Sequence, residues 1–409
     1  MSSGGARLQI IAQGKQDVYI TGNPQRTFFK VIYARHTAFA IESKALMFDG
    51  TPNFGQRITC LIPKNGDLLS KLYLEIKLPQ VLDTSSNPVP YVHNIGHAII
   101  KEISFQIGEQ EIDRQTGEWM EMSSRLSTSL DKREALDTLI GAGEKTGPLT
   151  VTVPLRFWFC DNYGLSLPLC ALQYHPLRLN IKLRPLEELL AFNVTKPTTC
   201  DGPNIKTPMN PAFVLWADYV HLDVEELRRF AKNDHEYLID QVQYTPAVSV
   251  PEKTDRISIP IDFNHPVKEL LWVIHRNAIK ARNEWFNWSS HSKYDISAGT
   301  VLTDNMVEAT LMIDGKERFE NRDGTYFRLI QPYQHHTRVD PNYYIYAYSF
   351  ALKPEEFQPS GSLNMSLMNT VSLNLSLVST AAPMTVTVYG HNLNILRITN
   401  GLGGLLFKV

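Results

Sequence analysis

The chain has 409 residues, 43% of them hydrophobic and 20% charged. That length exceeds one ordinary core, so two or three domains are expected, and the balance excludes a disordered chain. The formal net charge is −2 with no long basic run, which excludes the concentrated positive footprint of a dedicated nucleic-acid binder.

Residues 1–26 are small and polar, rich in Gly, Ser and Gln, and read as an arm. Within it Val18, Tyr19 and Ile20 are the apolar residues expected to pack under the first domain. The first thirteen residues carry no long apolar core of signal-peptide type, and no window approaches the ~20 apolar residues of a membrane span. Synthesis and use on the cytosolic side are expected. Cys60, Cys160, Cys170 and Cys200 lack metal-ligand spacing, and the first three sit in apolar, strand-like contexts. Free buried thiols are the expectation there.

Beyond the arm, period-two alternation recurs. Leu72, Leu74, Ile76 and Leu78 oppose Tyr73, Glu75 and Lys77; Val151, Val153, Leu155, Phe157 and Phe159 make a second stripe. Ile257, Ile259, Ile261 and Phe263 make a third, and Tyr344, Tyr346, Tyr348 and Phe350 a fourth. Such a face repeat over five to eight residues predicts half-buried antiparallel strands. Pro260 inside the third stripe predicts a sheet edge or a bulge. Trp272, on the same alternation as Leu270 and Ile274, is expected in a core. Helical signals are few: one or two helices between Met122 and Ile140, a short turn at Leu186–Phe192, and a helix from Val224 to Ala231 with Asp223 as N-cap candidate.

Several stretches occur twice, in one order, at an offset of about 200 residues, roughly half the chain. Arg57-Ile58 leads to Leu72-Tyr-Leu-Glu-Ile76, as Arg256-Ile257 leads to Leu270-Leu-Trp-Val-Ile274. Ile107-Gly-Glu-Gln-Glu111 precedes Gly117-Glu-Trp119, as Ile313-Asp-Gly-Lys-Glu317 precedes Gly324-Thr-Tyr326. Leu177-Arg-Leu-Asn-Ile-Lys-Leu183 is echoed by Val371-Ser-Leu-Asn-Leu-Ser-Leu377. A period this long fits a duplicated domain. The expected class is all-β: two tandem eight-stranded jelly-roll β-sandwiches with few short helices. Periodicity alone does not separate the jelly roll from an immunoglobulin-like sandwich. The expected limits are an arm at 1–26, a first jelly roll at 27–223, a helical connector at 224–236 and a second jelly roll at 237–409.

Gly14-Lys-Gln-Asp-Val-Tyr-Ile-Thr-Gly-Asn-Pro-Gln-Arg-Thr-Phe-Phe-Lys30 and Tyr33-Ala-Arg-His-Thr-Ala-Phe-Ala-Ile-Glu-Ser43 resemble the N-terminal signature of the major capsid proteins of nucleocytoplasmic large DNA viruses, in their algal-virus and giant-virus branch. Further blocks extend the likeness nearly to the end: Gly164–His175, Asp234–Ile239, Phe263–Trp272, Tyr348–Pro354 and Asn394–Gly404. Lys15 and Ala34 depart from the usual family choices. The resemblance implies a double jelly roll and a structural, non-enzymatic protein. It implies a homotrimeric pseudo-hexagonal capsomer tiling an icosahedral virion shell over an internal membrane that the chain does not span. Implied partners are neighbouring capsomers, minor capsid or cement proteins and a penton protein, with no direct nucleic acid and assembly in the host cytoplasm. The short candidate insertion loops imply a flat-topped capsomer. The alternative of the same fold is a minor capsid paralogue or assembly scaffold. A carbohydrate-binding or cupin-like jelly roll is the reading from another class; it is disfavoured because the stripes carry Leu, Ile, Val and Phe where a cupin needs inward His and Glu.

No catalytic, cofactor or metal site is expected. His335 and His336 are adjacent, so on an extended segment they point to opposite faces, and neither they nor His265, His275 and His391 have ligand spacing. Asp161, Glu187 and Glu188 read as solvated turn carboxylates, and Gly401-Leu-Gly-Gly404 as a packed tail rather than a phosphate cradle. Among the four sequons, Asn193 and Asn287 fall in loops and are the glycosylation candidates. Tyr19, Trp285, Phe286 and Trp288 are the candidate interface residues, because aromatics are enriched in interface cores. For the three around position 286, the competing reading is a loop folded back on its own sandwich.

Overall fold

The computed structural model describes residues 4–191, 206, 209–296, 301–378 and 382–408. The candidate Asn193 and the thiol of Cys200 lie outside these residues. The chain up to Ala38 forms one unit and the chain from Phe39 another. In the first, α1 (Gly4–Ile11) and a single turn at Val18–Thr21 are the helical pieces, and neither buries a residue.

The second unit contains the duplication. Its first half has β1 (Phe39–Met47), β2 (Arg57–Ile62), β3 (Leu68–Leu78), β4 (Ile100–Ile107), β5 (Gln110–Gln115), β6 (Leu149–Pro154), β7 (Leu177–Leu183) and β8 (Ala212–Leu222). Its second half has β9 (His235–Tyr244), β10 (Arg256–Pro260), β11 (Pro266–Arg276), β12 (Met306–Ile313), β13 (Lys316–Glu317), β14 (Tyr346–Ser349), β15 (Val371–Leu377) and β16 (Met384–Thr399). The first half pairs in the orders β1-β8-β3-β6 and β2-β7-β4-β5. The second pairs as β9-β16-β11-β14 and β10-β15-β12-β13. Adding eight to each label converts one pair of sheets into the other, so the two halves are the same antiparallel sandwich twice. Minor features repeat too. β3 bulges against β8 between Leu69 and Lys71, and β11 bulges against β16 between Val267 and Glu269. β4 bulges against β7 between Ile100 and Glu102, and β12 against β15 between Met306 and Glu308.

The sequence stripes explain these strands. In β3, Leu72, Leu74, Ile76 and Leu78 are buried, while Tyr73, Glu75 and Lys77 are partly or fully exposed. β10 is an edge strand, where Pro260 has no second neighbour to disappoint. Trp272 is wholly buried in the second core with Leu270 and Ile274. The stripe from Val151 ends early as a strand: Phe157 and Phe159 stay buried, but the backbone turns helical at Trp158–Asp161. Two helices, α2 (Gly117–Ser127) and α3 (Leu130–Ile140), follow β5. Thr116 caps α2 by accepting from the Trp119 N–H at 3.1 Å. The helix α4 (Val224–Lys232) links the halves, and Asp223 precedes it without a side-chain capping bond.

Candidate assembly surfaces and the seam between the sandwiches

β11 is buried on both faces. Leu270, Trp272 and Ile274 enter the second core, while Leu271 and Val273 join the first, together with Ile239, Val242, Tyr389, Leu396 and Ile398. A strand read by alternation as half-buried is thus shared between its own sandwich and a seam with the other. β14 behaves alike: Tyr346 and Tyr348 face the second core, and Ile345 and Ala347 face the seam.

The seam has polar anchors from both halves. The Tyr389 hydroxyl donates to Glu118 at 3.0 Å, and the Tyr389 ring lies 5.9 Å from Trp119. Buried Asp113 accepts the Val242 N–H at 3.0 Å. Burial pushes Asp113 up to about 6, against the hydrogen bonds from Gln115 and the Val242 backbone that favour its charge. The C-terminal end returns to the first sandwich. Asn400 and Gly401 both have positive φ, 52° and 81°, and turn β16 into a hairpin with Leu402–Leu405. Gly401 O then accepts the Tyr174 N–H at 3.1 Å, and Gln110 accepts the Leu405 N–H at 3.1 Å. An Asn-Gly pair between apolar stretches is a strong hairpin signal, and it was the sequence feature that could have revealed this closure.

The aromatic candidates at 285–288 belong to this seam. Trp285, Phe286 and Trp288 are all buried, so the exposed patch considered from the sequence is absent, and the loop folds back on its own chain. The Arg184 guanidinium sits 3.8 Å over the Trp285 ring, whose N–H donates to Glu188 O at 2.8 Å. The neighbouring Asn283 donates to the carbonyls of Glu187 and Leu190 at 2.7 and 2.9 Å. These partners lie about a hundred residues upstream, which no local pattern exposes. Glu187 and Glu188 therefore contribute their carbonyls, and the Glu188 carboxylate also lies 3.7 Å from Arg184, rather than the two serving as an acid pair. Tyr19 differs from the other three: it is 93% exposed. Val18 and Ile20 are exposed beside it.

Asn287 is engaged on both sides of its amide. Its nitrogen donates to Glu284 at 2.7 Å and His291 O at 3.0 Å, and its oxygen accepts from the Ser289 hydroxyl at 2.6 Å. Cys60, Cys160 and Cys170 are free thiols. Burial pushes Cys60 up to about 12 and Cys170 up to about 11, which keeps both as unreactive thiols. The histidines separate: His275 is buried, pushed down to about 4 by that burial, and bonded to Glu284 O at 3.0 Å. His336 and His391 converge on one carboxylate, Glu269, at 2.8 and 3.1 Å. Each imidazole takes a different carboxylate oxygen, a hydrogen-bond arrangement rather than a ligand shell. Among the described residues, no group of three or more His, Cys, Asp or Glu side chains is arranged to hold a metal ion.

Comparison with known proteins agrees with this architecture. Residues 27–223 match the family described as "Major capsid protein N-terminus", and residues 226–404 the family "Large eukaryotic DNA virus major capsid protein". The chain is 37% identical over 436 residues to the major capsid protein of Pyramimonas orientalis virus, covering 99% of this chain and all of the relative. It is 32% identical over 459 residues to that of Paramecium bursaria Chlorella virus 1, covering 98% and 99%. A chain of the quasi-atomic capsid of PBCV-1 superposes with a TM-score of 0.79 at 28% identity, over 94% of this chain and 100% of that one. The Faustovirus major capsid protein shares the fold, with a TM-score of 0.75 at 13% identity over 96% of each chain. Doubled strand order, a closed seam and end-to-end likeness lead to one conclusion: this chain belongs to the large eukaryotic DNA virus major capsid proteins, with the double jelly-roll fold.

Proposed function

We propose that the chain is a shell-building subunit that assembles as a homotrimer, each subunit supplying two sandwiches to a pseudo-hexagonal, flat-topped capsomer of an icosahedral shell over an internal membrane. The observation that carries this is the repeated strand order. Two equivalent sandwiches per chain let three chains make a block with six similar sides. The apolar side chains left outside the cores support it: Ile41 and Met47 on edge strand β1 are exposed, a liability that pairing with another chain removes.

In this reading residues 27–223 and 237–409 are the two jelly rolls, joined by 224–236, and the chain acts by self-association without catalysis, cofactor or metal. The arm, with Tyr19, contacts neighbouring capsomers, minor or cement proteins and the penton protein, on the side facing the membrane. Assembly takes place in the host cytoplasm. Size-exclusion with light scattering at micromolar concentration tests the first step. The expected mass is three times 46.5 kDa. Obligate interfaces commonly bury more than ~2,000 Å², so dissociation at that concentration is not expected. A clean monomer would reject the trimer.

A further inference from the structure

The seam contains a partly open cavity of about 80 Å³. The first sandwich lines it with Ser123, Trp158, Arg156 and Asp161, and the second with Asp240, Glu269, His336, Glu355 and His391. Glu269 lines it, bonded through one oxygen to His336 and through the other to His391. The side chains of Glu269 and His336 are 5% and 2% exposed. Next in sequence, at the bulge of β11, buried Lys268 pairs with Asp240 at 2.8 Å, and His391 approaches Asp240 at 3.7 Å. Four buried polar atoms on residues lining the cavity have no protein partner: Ser123 Oγ, Trp158 Nε1, His336 Nδ1 and Glu355 Oε1. A polar space of this size admits water, which needs only ~10–15 Å³ on the same measure, and this gives His336 a route for proton exchange.

His336 also begins the strap 336–343, which reaches the first sandwich. The Arg338 N–H donates to Leu126 O at 2.8 Å, Asp340 lies 3.8 Å from Arg125, and Arg125 covers the Tyr343 ring at 4.0 Å. We propose that Glu269, His336 and His391 form a proton-held latch on the seam: the protonated His336 imidazole pins the strap to Glu269 on β11, His391 on β16 holds the other carboxylate oxygen, and loss of the His336 proton slackens the strap.

The electrostatics set the direction. Burial opposes charge on His336, but the charge and hydrogen bond of Glu269 outweigh it and hold His336 above its ordinary value. Burial would raise Glu269, yet His336 and His391 hold it below the usual carboxylate range. Burial raises Glu355. A histidine raised in the folded state contributes stability that is full below ~6.5 and lost as pH rises through the raised value. The contribution of Glu269 is full above ~4.5 and is lost as pH falls towards its depressed folded value, while the raised Glu355 costs stability as pH rises from ~4.5 through its folded value. With His336 neutral, the fixed cations beside Glu269 are Lys268 and Arg156, against the carboxylates of Asp240, Asp161 and Glu355. The latch is therefore tightest in mild acid and weakens towards alkaline pH.

The test is hydrogen exchange at the Arg338 amide, corrected for its intrinsic pH dependence, beside thermal melting of the full chain. Both run from about pH 5.5 to about pH 8.5, across the histidine range. Wild-type protection at Arg338 should fall as pH rises, with a melting temperature lower by about 2–4 °C at the alkaline end. His336→Gln should show low, pH-flat protection, and His391→Gln a reduced step of the same sign. Wild-type protection that is level or rises with pH overturns the latch, even if a variant fails to fold. So does an undiminished step in His336→Gln.

Discussion

Glu121 on α2 is a carboxylate with no exposed surface, held by four donors. Asn94 donates to it at 2.8 Å, His97 approaches at 2.7 Å, Arg125 Nε donates at 2.7 Å, and Arg133 lies 3.6 Å away. Burial would raise its pKa, but His97, Arg125 and Arg133 outweigh burial and hold it down at about 2. A depressed carboxylate contributes stability that is present above ~4.5, its unfolded value, and lost as pH falls towards its folded one. Glu121→Gln should therefore cost about 3–5 kcal/mol near neutral pH, because Arg125 and Arg133 lose the buried one of their counter-charges and keep only the more exposed Asp137 and Asp340. Near pH 3 the wild type has lost part of the same contribution, so the deficit should shrink. Denaturant melts of both proteins at the two pH values decide it; an equal deficit at both would mean that Glu121 is not ionised in the fold. Nothing in the spacing of Glu121 announces this role, since Asn94 and His97 come from a different element and Arg133 from the next helix.

Single elements show why the duplication survives in the sequence. The β4–β5 and β12–β13 hairpins both turn through two residues, and Gly108, Asp314 and Gly315 supply the positive φ those turns require. Gly117 and Gly324 follow at matching places. A Cβ on Gly117 would collide with the carbonyl oxygens of His97 and Ile100, and one on Gly324 would lie 2.8 Å from Met306 O. Ile100 and Met306 open the equivalent strands β4 and β12, so one close approach explains both glycines. Gly117→Ala should cost about 2–3 kcal/mol by overpacking against backbone that has little freedom to move, and Gly324→Ala less. Chemical denaturation of the two variants orders them; a harmless Gly117→Ala would remove this account of the repeat. Strands and the repeated glycines were legible because each rests on residues near in sequence. The seam was not. Its anchors Arg184–Trp285, Glu118–Tyr389 and Asp113–Val242 join positions from different halves, and alternation marks a strand face as buried without saying against what.

At the scale of the molecule, most apolar burial belongs to the two cores and their seam, while the unit up to Ala38 contributes almost none. Leu8, Ile10, Tyr19, Phe29 and Tyr33 are all more than half exposed, and no helix there buries a residue. Exposed apolar side chains on so short a segment add little to stability, and they become useful only where another surface covers them. Deleting residues 1–13 should leave a protein whose melting temperature is within about 1–2 °C of wild type, the scale of change expected when no core contact is lost. Deleting residues 1–26, which also removes Tyr19, should do the same, because Val18, Tyr19 and Ile20 are exposed rather than packed. Incorporation into shells should respond differently, falling with the shorter deletion and further with the longer. The measurement is melting temperature beside particle incorporation for both truncations, co-expressed with full-length chain. A large drop in melting temperature with residues 1–26 removed would show that the arm belongs to the fold. Normal shells from that truncation would show that the arm's apolar residues do nothing for assembly.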